Sequence, residues 1–501
     1  MSAGADALSP PTSSLTWRLS SWASSLRFED LPERVVELAK SQVLSQLAAI
    51  RAGRVHDLGR RLVAAFGEPL QADPARGACV LATLGAWLNL DDTAYAGHLS
   101  PSTVAVPLAY AHSLRLDGAR LLTAIVAANE CAARVTAAAT LGPFRGQTAA
   151  HTSVVGAVAG RLHCTGQPAA GWVDALGLAL AMPPWTLLPG FLGGDARAIS
   201  GLVPVRAAMD ACDAAAAGLR AADDILEHPG GFLDRFAAVP LPEVVTARLG
   251  QRWHTDTLSF KIRPGGPGID SAVDCALALR DMLPAPEPDE ITEILVETSA
   301  YTMYVERQLA AQGPGPMLPA GVLPLSVPYA VATALLTGRL TVADFATPAR
   351  HDPRRWRLAA RVRLVEDPGM TRDLIGSDAP FGDALRQAGE RAKPWLAGFV
   401  GARAAEQITT LGPPAATFTD ATKHTGSRVT VRLADGGTLT ARRDIPIGAA
   451  GPDTRATHRE LVRSKFAATG GPPDVAETCA ALDHASSARV AAMIRAALRI
   501  D

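Results

Sequence analysis

The stretch from Asn89 to Pro101 carries the densest set of chemically reactive side chains in the sequence. It reads Asn-Leu-Asp-Asp-Thr-Ala-Tyr-Ala-Gly-His-Leu-Ser-Pro, with Ala-rich apolar segments on both sides. Such a pattern is typical of a loop held between buried helices, where rigid scaffolds present reactive groups. Asp91 and Asp92 repel each other and burial raises a carboxylate pKa, so one of them could act as a base or orient His98. The structural alternative places Asp91 in a turn and lets Asp92 and Thr93 cap a helix.

Composition and charge exclude several classes of protein. The chain has 501 residues, which is enough for two domains. Its 48 basic and 49 acidic residues nearly balance, so no net positive charge attracts it to nucleic acid or to an anionic membrane. The six cysteines are far apart with no CxxC pair, which argues against a zinc site or a disulfide framework and favours a cytoplasmic location. The longest apolar run, residues 172–192, contains three prolines and an aspartate, which argues against a membrane span.

The chain up to about residue 250 predicts a series of buried helices. Its segments are rich in Ala, Leu and Val, are separated by Gly or Pro, and show almost no strand-like alternation. The clearest predicted helices follow Pro32 and cover 121–140, 151–162, 170–181 and 205–222. Because the central ones are apolar all round, they are expected to lie inside an all-α domain.

The composition changes near Phe260. A Gly/Pro-rich loop at 264–268 precedes a predicted helix at 270–283, predicted strands at 293–298 and 356–365, and a hairpin at 429–445. The predicted fold is therefore mainly α plus α+β. A large, discontinuous helical domain comprises 1–258, with 1–16 disordered, and the helices of 449–501, which pack back on it. A smaller α+β lid covers 259–448.

The order of residues in the reactive stretch resembles the signature of the MmgE/PrpD family, an Asp-x-Asp-Asp-Thr run followed by a His and a small-residue turn. Further segments resemble the family in the same order along the chain, namely 28–32, 225–233, 260–270, 433–436 and 460–466. The family includes 2-methylcitrate dehydratases, cis-aconitate decarboxylases and an iminodisuccinate epimerase. Its fold, a helical domain plus an α+β lid, agrees with the one predicted from the residues.

The resemblance implies acid–base chemistry on a small carboxylate, with no metal or organic cofactor. His98 matches the family's first catalytic His, and Lys261 matches the lysine at the start of the lid, where it would bind a carboxylate or an enolate oxygen. Arg263 is a candidate to share or replace that role. Asp91, with Asp92 and Thr93, would orient His98. The structural alternatives are an ordinary helix-edge His and a solvated Lys.

The sequence departs from the family pattern at several site positions. Asn89 stands where the family has an Asp, and Gly266 falls where it has a second His. Gln147 occupies another His position, and His151, one helical turn later, either directs an imidazole into the same cavity or is a buried structural residue. Ser200 falls where the family has a Lys. We count Asn89, Gln147 and Ser200, with Asp92 and Thr93, among the candidate substrate-binding residues.

These departures remove cations and add apolar surface. With fewer cations in the site, the cost of removing a tricarboxylate from water would not be offset. In addition, six residues from Met182 to Leu192 supply aromatic and aliphatic surface. We therefore expect a cofactor-independent lyase or isomerase acting on a carboxylate or enolisable metabolite less anionic and more apolar than 2-methylcitrate.

Two alternatives remain open at this stage. The scaffold could be repurposed for a cyclisation or rearrangement in specialised metabolism, or it could be a non-catalytic binding protein. The family resemblance implies a homodimer, and we expect a small-molecule substrate with neither nucleic acid nor membrane as partner. A lid tyrosine is also expected at the site, with Tyr301, Tyr304 and Tyr329 as candidates. The central prediction is that His98, His151 and Lys261 meet in one cleft between the domains.

Overall fold

The computed structural model describes residues 14–143, 147–266, 268–283, 286–313 and 315–500, and the side chains of 147–149 lie outside that description. Its first half is helical. The helices are α1 Leu15–Ser25, α2 Glu33–Val55, α3 Asp57–Phe66, α4 Pro74–Ala86, α5 Ser100–Thr103, α6 Ala105–Leu114, α7 Gly118–Ala139, α8 Gln147–Cys164, α9 Ala169–Ala181, α10 Leu188–Leu192, α11 Leu202–Ala216, α12 Phe232–Phe236 and α13 Pro242–Thr246. Helix α1 begins inside the segment that was expected to be disordered.

Helix α7 forms the centre of this helical body. Asp117 caps its first turn by accepting a hydrogen bond from the backbone N–H of Arg120, and almost every residue along it is buried. Among the described residues only this helix is long and apolar enough to cross a bilayer, and it is entirely packed inside the protein. Helix α11 ends earlier than predicted, at Ala216, because Gly218 adopts a left-handed conformation (φ +91°) that stops the helix.

The lid contains a four-stranded mixed sheet with helices on it. Two short strands, β1 Thr93–Ala94 and β2 Gly97–His98, precede this sheet in the chain. The strands of the sheet are β3 Ile291–Thr298, β4 Val362–Glu366, β5 Ser427–Leu433 and β6 Thr438–Arg443, in the order β4-β3-β5-β6. Strand β4 is parallel to β3, and the other two pairs are antiparallel. Its helices are α14 Ile269–Asp281, α15 Ala300–Ala310, α16 Val327–Thr337 and α17 Pro353–Ala359.

The predicted strand over 356–365 is wrong in its first half. Asp352 accepts a hydrogen bond from the N–H of Arg354, and Pro353 occupies the first helical position, so residues 353–359 form helix α17. The alternation of apolar residues becomes a strand only from Val362 onward.

The remaining helices return to the helical body. They are α18 Pro368–Gly376, α19 Asp383–Ala388, α20 Lys393–Val400, α21 Ala402–Ala405, α22 Pro452–Ala468, α23 Pro473–Ala480 and α24 Ser487–Leu498. Their buried side chains, such as Leu385, Phe466 and Ile494, share one hydrophobic core with α2 and α7, whereas the sheet and α14–α17 enclose a second core. The predicted fold class, mainly α with an α+β part, is confirmed. The exact domain boundaries stay a prediction.

Candidate active site

The reactive stretch forms a very short hairpin between α4 and α5. Its strands are β1 Thr93–Ala94 and β2 Gly97–His98, and Thr93 pairs with His98. A side chain on Gly97 would lie 2.5 Å from Thr152 Oγ1, so only glycine lets the hairpin approach helix α8 this closely. The hairpin therefore fixes His98 against the helical body.

The His98 imidazole and the Asp91 carboxylate form a hydrogen-bonded pair. The distance from His98 Nδ1 to Asp91 Oδ2 is 2.7 Å, and Asp91 is completely buried. Burial opposes ionisation of Asp91, but His98 and Lys261 outweigh it and lower the pKa of this carboxyl. Burial lowers the pKa of His98 against the raising effect of Asp91. A neutral imidazole beside an ionised carboxylate donates its Nδ1–H, which leaves Nε2 with a free lone pair.

Asp92 has a different role from its neighbour. Its carboxylate accepts hydrogen bonds from Ser45 Oγ (2.6 Å) and Ser100 Oγ (3.0 Å), and its backbone oxygen accepts one from the N–H of Leu99. The ammonium of Lys465 donates to Ser45 Oγ and lies 3.8 Å from Asp92 Oδ1. Asp92 thus holds the hairpin against α2, α5 and the ammonium of Lys465, and it does not orient the imidazole directly.

The start of the lid is joined to the hairpin by backbone hydrogen bonds. The N–H of Thr93 donates to the oxygen of Ser259 (3.1 Å), and the N–H of Ser259 donates to the oxygen of Thr93 (2.9 Å). This bridge lies two residues before Lys261, so it brings the lysine to the hairpin that carries His98. The predicted meeting of these two side chains at one cavity is what the structure shows.

A cavity of about 200 Å³ lies where the helical body meets the lid. Its polar lining includes Asn89, Thr93, His98, Thr140, Arg197, Ser259, Lys261, Asp270, Gln308, Lys423 and Thr425. Its apolar and aromatic lining includes Pro143, Leu188, Phe191, Leu192, Tyr301, Tyr304, Val305, Leu325 and Ile447. Ligand sites typically combine an apolar wall with a few convergent polar groups at a domain boundary.

The charges on the lid side of the cavity are two ammonium groups and one carboxylate. Burial lowers the pKa of Lys261, although Asp91 and Asp270 oppose this effect. Burial, with a further contribution from Lys261, lowers the pKa of Lys423 to about 8. Burial raises the pKa of Asp270 to about 6 in spite of Lys261. At neutral pH the ammonium of Lys423 and the carboxylate of Asp270 are therefore mainly charged.

Arg197 explains why an asparagine occupies position 89. The guanidinium donates hydrogen bonds to Asn89 Oδ1 and to the backbone oxygens of Trp87 and Gly321, while Asn89 Nδ2 donates to the backbone oxygen of Gly265. An aspartate has no N–H with which to make that last bond. Burial lowers the pKa of Arg197 to about 10, partly offset by Asp91, so it stays charged.

Five predicted site residues do not line the cavity: Asp91 and Asp92, which are completely buried beside the hairpin, and His151, Arg263 and Ser200. The His151 ring packs against Phe232 and Phe236, and burial lowers its pKa to about 3. Arg263 forms an ion pair with Asp274 (2.7 Å) and lines a separate groove, so it does not replace Lys261. Ser200 lines a small adjacent pocket that also touches His98 and Arg197. The side chain of Gln147 lies outside the described residues.

The structure distinguishes among the lid tyrosines and the apolar residues. Tyr301 and Tyr304 line the cavity, whereas Tyr329 is buried in the lid core and donates to the backbone oxygen of Asp344. Leu188, Phe191 and Leu192 line the cavity, but Met182, Trp185 and Leu187 are exposed. Only the second half of the apolar run therefore contributes to the binding surface.

Sequence reasoning missed three charged residues that line the cavity, Arg197, Asp270 and Lys423, and one that supports the hairpin, Lys465. Asp270 and Lys465 lie in the family-like segments 260–270 and 460–466, but the resemblance of these segments does not indicate a role at the site. No local pattern marks Arg197 or Lys423, whose partners lie far away in sequence. No cluster of three or more potential metal ligands occurs within the part of the chain that the structure describes.

Comparison with known proteins identifies two matching family models. A model of the MmgE/PrpD N-terminal domain matches residues 17–243, and a model of the MmgE/PrpD C-terminal domain matches residues 266–386. The first match contains the hairpin with His98, and the second contains Asp270 and the lid helices. No curated protein matches the chain.

Proposed function

Because the chain belongs to the MmgE/PrpD family, whose members are typically lyase-type enzymes, we propose that it abstracts a proton next to a carboxylate or carbonyl group with His98 as the base. The observation that carries this proposal is the His98–Asp91 pair, whose imidazole lines the same cavity as Lys261. A base and a cation on one cavity are the two elements that enolate formation requires.

The proposed reaction begins at the free Nε2 of His98, which takes the proton from the substrate carbon. The electron pair of the broken C–H bond moves into the adjacent carbonyl or carboxylate group, and Lys261 stabilises the negative charge on its oxygen. The reaction ends when a leaving group departs from the neighbouring carbon, or when the imidazolium returns the proton. Asp91 holds the imidazole in one tautomer and stabilises the imidazolium.

We propose that the substrate carries fewer carboxylates and more apolar area than 2-methylcitrate. The lining supports this class, because the net charge of Lys261, Lys423 and Asp270 is small and the opposite wall consists of Leu188, Phe191 and their neighbours. The same wall favours, as a second candidate, a cyclisation or rearrangement of a larger apolar acid. A cytoplasmic location and a homodimer are further parts of the proposal that await their own tests.

The proposal predicts that His98→Gln abolishes most of the activity. Purified protein is incubated in D₂O with alkyl- and aryl-substituted hydroxy acids, keto acids and succinates, and loss of the C–H signal and product formation are followed by NMR. We expect exchange or elimination with at least one such acid, and a decrease of about 10²- to 10⁴-fold in His98→Gln, as for loss of a positioned acid–base group.

The matched control is His484→Gln, since the His484 side chain is 85% exposed and lies outside the cavity. This variant should keep the wild-type rate. Unchanged exchange in His98→Gln would remove His98 from the mechanism. Turnover of 2-methylcitrate or cis-aconitate at ordinary enzyme rates would instead overturn the proposed substrate class and leave the role of His98 intact.

A further inference from the structure

The least expected feature of the cavity is a second buried ammonium, contributed by Lys423. We propose that Lys423 and Lys261 together form a subsite that binds a single carboxylate group of the substrate. This inference rests on the proposed function and makes it more specific, because it assigns the position of the substrate carboxylate and limits its number to one.

Both ammonium groups have unused hydrogen-bonding capacity. An ammonium carries several N–H donors. Lys423 Nζ donates to Thr93 Oγ1 at 3.0 Å, and Lys261 forms neither a hydrogen bond nor an ion pair with any residue in the described ranges. Each residue is only 7% exposed, and both line the cavity. Buried charges in proteins are normally paired, so an anion is the expected occupant of the space between them.

The position of Lys423 is fixed by a closed ring of hydrogen bonds. Its backbone N–H donates to the oxygen of Ala450 (2.9 Å), and the N–H of Ala450 donates to Ser259 Oγ (3.0 Å). Ser259 pairs with the backbone of Thr93, and Thr93 Oγ1 accepts the ammonium of Lys423. The subsite is therefore preorganised, which reduces the cost of ordering it when an anion binds.

The local charge limits the number of carboxylates. Asp270 lines the same side of the cavity and neutralises one of the two ammonium charges. On the side of the helical body, the His98 imidazole is neutral, and the negative charge of Asp91 cancels the positive charge of Arg197. One positive charge therefore remains for the ligand, which matches one carboxylate and leaves a second or third uncompensated.

The test uses hexanoate as the anionic probe, hexanamide as its uncharged analogue and propane-1,2,3-tricarboxylate as the tricarboxylate, with binding measured by titration calorimetry on the full-length protein. We expect hexanoate to bind the wild type more tightly than either other probe. Lys423→Met should weaken hexanoate binding at least tenfold and leave hexanamide binding within about twofold, as for loss of a buried charged partner. Lys423→Arg should recover part of the loss.

The matched control is Lys393→Met, because Lys393 pairs with Glu406 at the surface and should not affect hexanoate binding. Circular dichroism and thermal melting identify a variant that has lost its fold, and Lys423→Gln, which also removes the charge but keeps a polar side chain, then serves in place of Lys423→Met. Absence of hexanoate binding to the wild type, or wild-type affinity in Lys423→Met, would overturn the inference. Hexanoate binding that depends on Lys423, without exchange of any acid, would contradict the proposed function and leave the subsite standing.

Discussion

At the scale of single residues, the two histidines considered for catalysis differ only in what surrounds them. His98 has a carboxylate on Nδ1 and faces a cavity, so its other nitrogen is available for proton transfer. His151 is 2% exposed, has aromatic rings on its sides, and has no hydrogen-bond partner for either ring nitrogen among the described residues. The first environment supports acid–base chemistry, and the second keeps the imidazole neutral.

This difference predicts that His151 destabilises the protein in acid. Its pKa of about 3 in the folded state lies below the ordinary value of 6.5, so only the unfolded state takes up the proton between these limits. The free energy of unfolding therefore decreases as the pH falls below 6.5, by about 1.4 kcal/mol per pH unit. His151→Leu should remove this term and gain about 2 kcal/mol relative to the wild type between pH 7 and pH 5.

The measurement is urea unfolding of both proteins at the two pH values. His484→Leu is the control, since it removes an imidazole whose side chain is 85% exposed. An equal loss of stability in the wild type and in His151→Leu between pH 7 and pH 5 would contradict a neutral, buried His151.

At the scale of secondary-structure elements, helix α22 supports the hairpin from behind. Lys465 Nζ donates to the backbone oxygen of Leu90 (2.7 Å) and to Ser45 Oγ (2.6 Å). Ser45 Oγ in turn donates a hydrogen bond to Asp92. Burial lowers the pKa of Lys465 to about 8, although Asp92 opposes this. A helix near the end of the chain thus fixes the residues on both sides of Asp91.

We expect Lys465→Met to affect stability and catalysis together. It leaves the Asp92 carboxylate buried without its nearest cation, which typically costs about 3 kcal/mol. Movement of the loop should lower the exchange rate of the proposed reaction by about tenfold, mainly in kcat, because Lys465 does not line the cavity. Stability is measured by urea unfolding, and kcat and KM are measured separately.

The double variant Asp92→Asn/Lys465→Met removes the unpaired charge as well and should recover part of the stability. Lys393→Met serves as the surface control. Wild-type kcat in Lys465→Met would show that the helix does not position the hairpin, whatever the change in stability.

Prediction from the sequence succeeded where the signal is local. Helices α7 and α9 were predicted because apolar residues fill every side of them, and the hairpin was located because its polar residues interrupt such runs. Lys423 and Arg197 were missed because each makes its defining contact, with Thr93 or Asn89, across a large separation in sequence. A single cation in a polar segment carries no sign of the cavity that it will face.

At the scale of the whole molecule, the cavity exists because two hydrophobic cores meet without merging. One core belongs to the helical body and the other to the sheet and helices α14–α17. Arg197 connects them: it donates to Trp87 and Asn89 on the helical side and to Gly321 on the lid side, and Asn89 continues the connection to Gly265.

We therefore expect Arg197→Met to loosen the lid locally. Without the guanidinium, the backbone oxygens of Trp87 and Gly321 lose a charged donor, which is worth about 1.5–3 kcal/mol for each such bond. Hydrogen exchange should become at least tenfold faster in segments 259–266 and 319–326, while the central strands β3 and β5 of the lid sheet keep their wild-type protection. The control is Arg357→Met, which changes an exposed lid arginine. Uniformly faster exchange would indicate general destabilisation, and unchanged exchange at 319–326 would show that Arg197 does not hold the two cores together.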